Sequence, residues 1–484
     1  AMEIVVSLSK PDPPLTADAV VKKAWREYTA LADRYNEPGR FTALIGYEYT
    51  TQGGNNLHRN VIFRGDASVA NQTLPFSQFD SQNPEDLWRA LDAFQKETGA
   101  QVLAIPHNGN LSNGRMFSVN KFDGKTPYDR ELAALRASLE PIIEATQIKG
   151  DGESHPFLSP NDEFADYELW DDANLDGTEV KKKEMLQYEY ARSALKIGLQ
   201  LEKKLGVNPF KFGMAGGTDS HTALSAVEEN NFFGKHSGVE PGPHRWEHVV
   251  IKSSKDDKLT TLGWQQAAGG RTAVWATENT REAIFDAMAR KETYATTGSR
   301  MTVRLFGGWA FAKEDALSRM PAEIGYDKGV PMGGDLYSAP AGQSPSFLVA
   351  AMKDPYSGNL DRIQIIKGWM DADGKTHEKV YDVVWAGNRK PDAKGKLPAV
   401  GNTVDVKNAT WTNTIGAPEL IAVWKDPGFD PKQHAFYYAR VIEIPTPRWT
   451  AYEAKRYGIE MPKKVPMVTQ ERAYTSPIWY APGS

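Results

Sequence analysis

Helix-like and strand-like segments alternate along this chain as far as about residue 300, and there the alternation stops. From Thr16 a helix is expected, with Val20, Ala24, Trp25, Tyr28 and Leu31 at helical spacing on one face and Pro38-Gly39 closing the unit. The apolar run Phe41 to Thr50 follows as a strand. Asn83-Pro84 opens a helix, with the asparagine as cap and the proline in the first turn, and Gly99 ends it. Gln101 to His107 is then a short buried strand that finishes on a histidine. A helix near 128–139 leads to a strand over 141–149, and a helix over about 184–205 leads to a strand that runs into Asp219-Ser220-His221. A capped helix from Asn279 and a strand at 292–298 complete the series. Alternation of this kind predicts an α/β fold on a largely parallel sheet or barrel.

Beyond Met301 the helical period gives way to β-like runs at 302–306, 346–351, 362–366 and 435–441, separated by Gly, Pro, Asp and Asn. The expected organisation is an α/β domain over 1–300 and a β-rich accessory portion over 301–484; a serine- and proline-rich stretch at 7–15 precedes the first helix. No internal repeat or low-complexity segment interrupts either part.

Composition narrows the chemistry. The absence of cysteine removes disulfides, zinc-thiolate sites, iron-sulfur clusters and thiol nucleophiles, and is compatible with any compartment. A net charge of −5 gives no broad attraction to nucleic acid or to an anionic membrane, though it leaves room for a local anion pocket. No apolar run approaches the ~18 residues of a spanning helix, and the start, Ala1-Met2-Glu3-Ile4, lacks a signal-peptide pattern. A soluble protein is therefore expected.

Three predicted strands end on side chains able to bind a metal: Glu48, His107, and the pair Asp219 and His221. His58 lies on the strand returning from a turn at Gly53-Gly54, so antiparallel pairing makes it a near cross-strand neighbour of Glu48. Carboxylates and imidazoles converging at one sheet edge can offer lone pairs to a divalent cation. Taken singly, Asp219 would also suit a helix cap and Glu48 a buried ion pair. His236, His244, His248, His377 and His434 are read as surface or structural groups. No Gly-x-Ser-x-Gly elbow, phosphate-binding loop, dinucleotide fingerprint or formylglycine-type sulfatase motif is present. A carboxylate-pair glycosidase stays open but leaves the histidines unexplained.

The phrases Ile45-Gly-Tyr-Glu-Tyr-Thr50, Asn56-Leu-His-Arg-Asn-Val-Ile-Phe63, Ile105-Pro-His-Asn-Gly-Asn-Leu-Ser-Asn-Gly114 and Gly217-Thr-Asp-Ser-His-Thr222 resemble an uncharacterised bacterial family related to the polymerase-and-histidinol-phosphatase (PHP) metal-dependent phosphoesterases. The resemblance covers most of residues 20–310. It implies a distorted (β/α) barrel holding one to three ions of zinc, manganese or iron. Glu48, His58 and His107 would bind one ion, Glu48 would bridge to a second that Asp219 also contacts, and His221 would serve a third. Asp219 and His221 would take part in catalysis, with Arg59, Asn108 and Lys149 placed to hold an anionic ester. The family's opening His-x-His motif has no counterpart upstream of Glu48, so the expected barrel is incomplete at its amino terminus. A single-metal or altered centre, with one complete ligand set, and an exposed apolar seam that favours a homo-oligomer follow from that departure.

The function these observations suggest is metal-dependent hydrolysis of a small anionic phosphate ester by metal-activated water. The alternatives are a sulfate or phosphonate ester hydrolase at the same centre, or a weakly catalytic protein that binds carbohydrate or a partner through its many aromatic residues.

Overall fold

The computed structural model describes residues 18–51, 53–222, 224–236 and 238–483. The stretch 7–15 and the helix start at Thr16 lie outside them. The first helix, Asp18–Tyr35, packs Trp25 into a core with Ile45, Tyr49, Val61 and Phe63. The rest of its predicted apolar face is not covered: Val20, Tyr28 and Leu31 remain about half exposed. Helical spacing identifies a face but does not say what lies against it.

Strands β1 (Ile45–Tyr49), β2 (Arg59–Phe63) and β3 (Val102–Pro106) form a three-stranded sheet. The helix Pro84–Thr98 precedes β3, with the Asn83 side chain accepting from the Glu85 N–H and Gly99 closing it in the left-handed conformation at φ +72°. A second sheet holds β4 (Ile142–Gln147), the short β5 (Gly150–Asp151) and β6 (Gly213–Gly216). The expected helix at 184–205 is two, Lys183–Leu186 and Ala191–Leu205.

The largest sheet has eight strands. Its central strand, Ala435–Glu443, is buried along its whole length. Phe436 and Tyr438 face the helix Ala191–Leu205, while Tyr437, Ala439 and Val441 face Val303, Leu305, Phe347 and Val349 of the neighbouring four-stranded sheet. The two-residue period of a strand thus feeds two separate cores. The same large sheet takes in Arg271–Val274 and Thr293–Thr296 as well as Leu360–Met370 and Arg472–Thr475, so it draws strands from both sides of residue 300. Ser476 fastens this sheet to β6: the Met214 N–H donates to its Oγ at 3.0 Å, and Thr293 Oγ1 lies 3.2 Å from it.

These sheets correct the expected (β/α) barrel. Among the described residues there is no closed barrel; the architecture is β-rich, made of several small and mostly antiparallel sheets. Both β1 with β2 and β2 with β3 pair antiparallel, and among the described residues parallel pairing is confined to β4 with β6 and Asp335–Tyr337 with Ile478–Ala481. The physical reason is that a helix between two strands permits a parallel crossover without fixing strand direction, and the turn between β1 and β2 is too short for one. Among the described residues no helix is long and apolar enough to cross a membrane.

On β5, burial and the adjacent charge of Glu153 push the Asp151 carboxyl up to about 7, while Tyr474 donates to it at 3.0 Å. A carboxyl whose pKa is raised on folding adds stability that is complete below its unfolded value near 4 and is lost as pH rises through about 7. From pH 5.5 to 7.5 the loss due to Asp151 should be about 2 kcal/mol. Urea unfolding at the two pH values should show it in the parent protein and show a flatter dependence in Asp151→Asn.

Candidate metal centre

β1 and β2 pair with Glu48 opposite Asn60 and Tyr49 opposite Arg59. Ile45, Tyr47 and Tyr49 pack into the core, so the alternation of the strand turns Glu48 to the other side. The connecting turn carries Gly53 and Gly54 at φ +89° and +78°, a region that favours glycine. His58 stands just before β2 and His107 just after β3, and the His107 N–H donates to the His58 carbonyl at 3.3 Å. Glu48 Oε1 lies 2.9 Å from His58 Nδ1 and 3.3 Å from His107 Nε2. Both rings are buried, and the carboxylate is partly open to solvent.

The hydrogen bonds around these rings indicate which nitrogens can ligate. His58 Nε2 lies 3.3 Å from the Thr51 carbonyl oxygen. A carbonyl only accepts, so Nε2 carries the proton and the Nδ1 lone pair of a neutral ring points at Glu48. Burial pulls His58 below the usual imidazole range, which favours that neutral form. His107 Nε2 is buried without a hydrogen bond from the protein, and its Nδ1 meets the Asn60 amide at 3.3 Å. An amide can turn either end to the ring, so Asn60 can accept from Nδ1–H and leave Nε2 free to ligate. The donor set of one carboxylate and two imidazoles, within 4.8 Å of one another, fits a zinc- or manganese-type ion.

A second group, Glu48 with Asp219 and His221, also converges within 4.8 Å. Asp219 follows β6 in the left-handed conformation at φ +48°, and no described helix begins there for it to cap. Lys149 donates to Asp219 Oδ2, and Lys235 lies 2.6 Å from the same oxygen. Lys235 also donates to the Asp219 carbonyl at 2.9 Å, and its ammonium lies 3.1 Å from His221 Nε2. Burial opposes ionisation of Asp219, but His221 and the two ammonium groups hold its carboxyl far below the usual range. Burial, with repulsion from Lys149, lowers Lys235 to about 8. Glu144, on β4, is pushed up to about 7 by burial, with the nearby charges of His107 and Lys149 opposing and that of Asp219 adding. A Cβ at Gly217 would crowd the Glu144 carboxylate and make it shift, so glycine here permits the close approach of the two strands' ends.

Glu48, His58, His107, Asp219, His221 and Lys149 are thus brought together. Asn108 stands beside them at φ +50°, buried, with neither amide atom hydrogen-bonded to the protein. Arg59 is not brought to the site. It occupies the strand position between His58 and Asn60, so its side chain goes to the opposite face, where Nε donates to Glu140 at 2.9 Å and the guanidinium lies over Trp88. Sequence reasoning missed Glu144, Lys235 and Asn60. A lone carboxylate inside the apolar run Pro141-Ile-Ile-Glu-Ala145 is a signal for the first; Lys235 lies in a loop with none.

No curated protein and no solved structure matches this chain. The family described as "Protein of unknown function (DUF3604)" matches residues 8–482, nearly the full length, and the chain belongs to that family.

Proposed function

We propose that this protein is a metal-dependent hydrolase of phosphate esters, with Glu48, His58 and His107 as the ligands of its ion. The observation that carries this reading is the 2.9 Å approach of His58 Nδ1 to Glu48 Oε1 while Nε2 faces a carbonyl. Two acceptors that close need a positive charge between them, and burial disfavours a second proton on the ring. A divalent ion bound there supplies Lewis acidity, lowering the pKa of water and drawing charge from an ester oxygen.

The chain's own groups supply the rest. Asn108 has free amide donors for a phosphoryl oxygen, and the Lys149 ammonium lies on the same side. His221, more than half exposed at the mouth, is placed to pass a proton to a leaving alcohol while Asp219 orients its ring from 3.2 Å. The resemblance to metal-dependent phosphoesterases supports the same substrate class.

The test uses protein stripped of metal and reloaded with zinc or manganese, assayed on aryl phosphate mono- and diesters and on the matched aryl sulfate. Turnover of a phosphate ester that disappears with chelator and returns with metal is the expected result. Faster turnover of the sulfate would move the assignment to sulfate esters. No turnover on any ester, together with saturable binding of oligosaccharides, would replace the enzyme reading with a binding one.

A further inference from the structure

We propose that Lys149 and Lys235 act as built-in cations at Asp219 in place of a second metal ion, so that the centre holds a single divalent ion on Glu48, His58 and His107. The inference rests on the metal-centre reading above and adds a stoichiometry to it. Its basis is where the ammonium groups lie. Both contact Asp219 Oδ2, and Lys235 spans Asp219 and His221, two of the three groups that would otherwise form a second ligand set. A zinc-type ion would need those same lone pairs at about 2.0–2.2 Å. An ammonium at 2.6 Å from the carboxylate oxygen already occupies that approach.

Charge reinforces the geometry. With Glu48 given to the first ion, Asp219 brings one negative charge and the two lysines in contact with it bring two positive ones, so the Asp219 side offers a second dication no net attraction. The first position has a carboxylate and two neutral rings, with no ammonium in contact with its ligand atoms. Nor can the lysines easily leave. Their side chains are 6% and 11% exposed, and the Lys149 backbone is fixed by Gln147 Oε1 on its N–H and by the Asn110 amide on its carbonyl. A merely structural role would have the pair steady the loop after β6 without influencing how many ions bind, and that difference can be measured.

The experiment titrates metal-free protein with zinc chloride, removes excess by gel filtration and counts ions by elemental mass spectrometry. One zinc per chain is expected for the parent protein and two for Lys149→Met/Lys235→Met, with Asp219→Asn in that background returning the count to one. Two ions in the parent protein would overturn the inference, as would a folded double variant that stays at one. If circular dichroism shows the double variant unfolded, the parent count and Lys235→Gln decide in the same way. No zinc in the parent protein would overturn the metal-centre reading itself, an outcome distinct from a count of two.

Discussion

Glu153→Ala is expected to lower the stability of this protein by about 3–5 kcal/mol, seen as a large drop in the urea unfolding midpoint. Glu153 Oε1 accepts from Arg192 at 2.6 Å and from Tyr438, and Oε2 lies 3.2 Å from Arg440. Asp162 completes the knot at 2.8 Å from Arg192 and 2.6 Å from Arg440. The side chains of all four charged residues are at most 2% exposed. Removing this carboxylate leaves the two buried guanidinium groups with Asp162 and, on Arg192 alone, Glu378 at 3.1 Å, and the desolvation of the under-compensated charge dominates the loss. With total stabilities of roughly 5–15 kcal/mol for a typical domain, such a loss would leave little margin. Glu153→Gln keeps the volume and some of the hydrogen bonds and should lose less. Lys23→Ala, at an ion pair whose partners are 77% and 66% exposed, should leave the midpoint unchanged. Equal shifts for Glu153→Ala and Lys23→Ala would show that the buried knot adds nothing.

His58→Ala should abolish stoichiometric zinc binding, since it removes one of the three proposed ligands and leaves Glu48 facing a single ring. Zinc affinity measured by competition with a chromophoric chelator should fall more than 100-fold, beyond the roughly 10–100-fold expected when only an outer hydrogen-bond partner is lost. Asn60→Ala is that milder case: it leaves the three ligands in place but frees His107 Nδ1, and the drop should lie in the smaller range. A His58→Ala protein that is folded and binds zinc as the parent does would rule out the ligand set. Asn60→Ala falling as far as His58→Ala would instead make Asn60 a direct ligand.

The positions of Glu48, His107 and Asp219 were legible in the sequence because each interrupts or ends an apolar run and a strand delivers its terminal side chain to a sheet edge, and that of His58 because the Gly53-Gly54 turn returns it towards Glu48. Arg59 was not, since neighbours in a strand point to opposite faces; the adjacency that suggested a shared site separates it from His58. Lys235 reaches Asp219 through folding of a loop with no periodic pattern, and no local signal marks it. Helices and β-runs were readable from caps and alternation, as at Asn83 and Gly99. Strand direction was not, because hydrophobic periodicity is the same whichever way a strand runs, and the barrel expectation failed on that point. The first helix shows the same limit: its spacing picks out Trp25 and Leu31 alike, and only Trp25 is buried.

The fastening of β6 by Ser476 bears on how the molecule is assembled during translation. Glu48, His58 and His107 lie within one short stretch of chain, so their sheet can form soon after it leaves the ribosome. Met214 and Thr293 must wait for a serine 262 and 183 residues further on before β6, and with it Asp219, is locked in place. A nascent chain therefore presents the triad long before the rest of the pocket, with strand edges still unpaired. That interval is when aggregation competes with folding, and when a chaperone has most to protect.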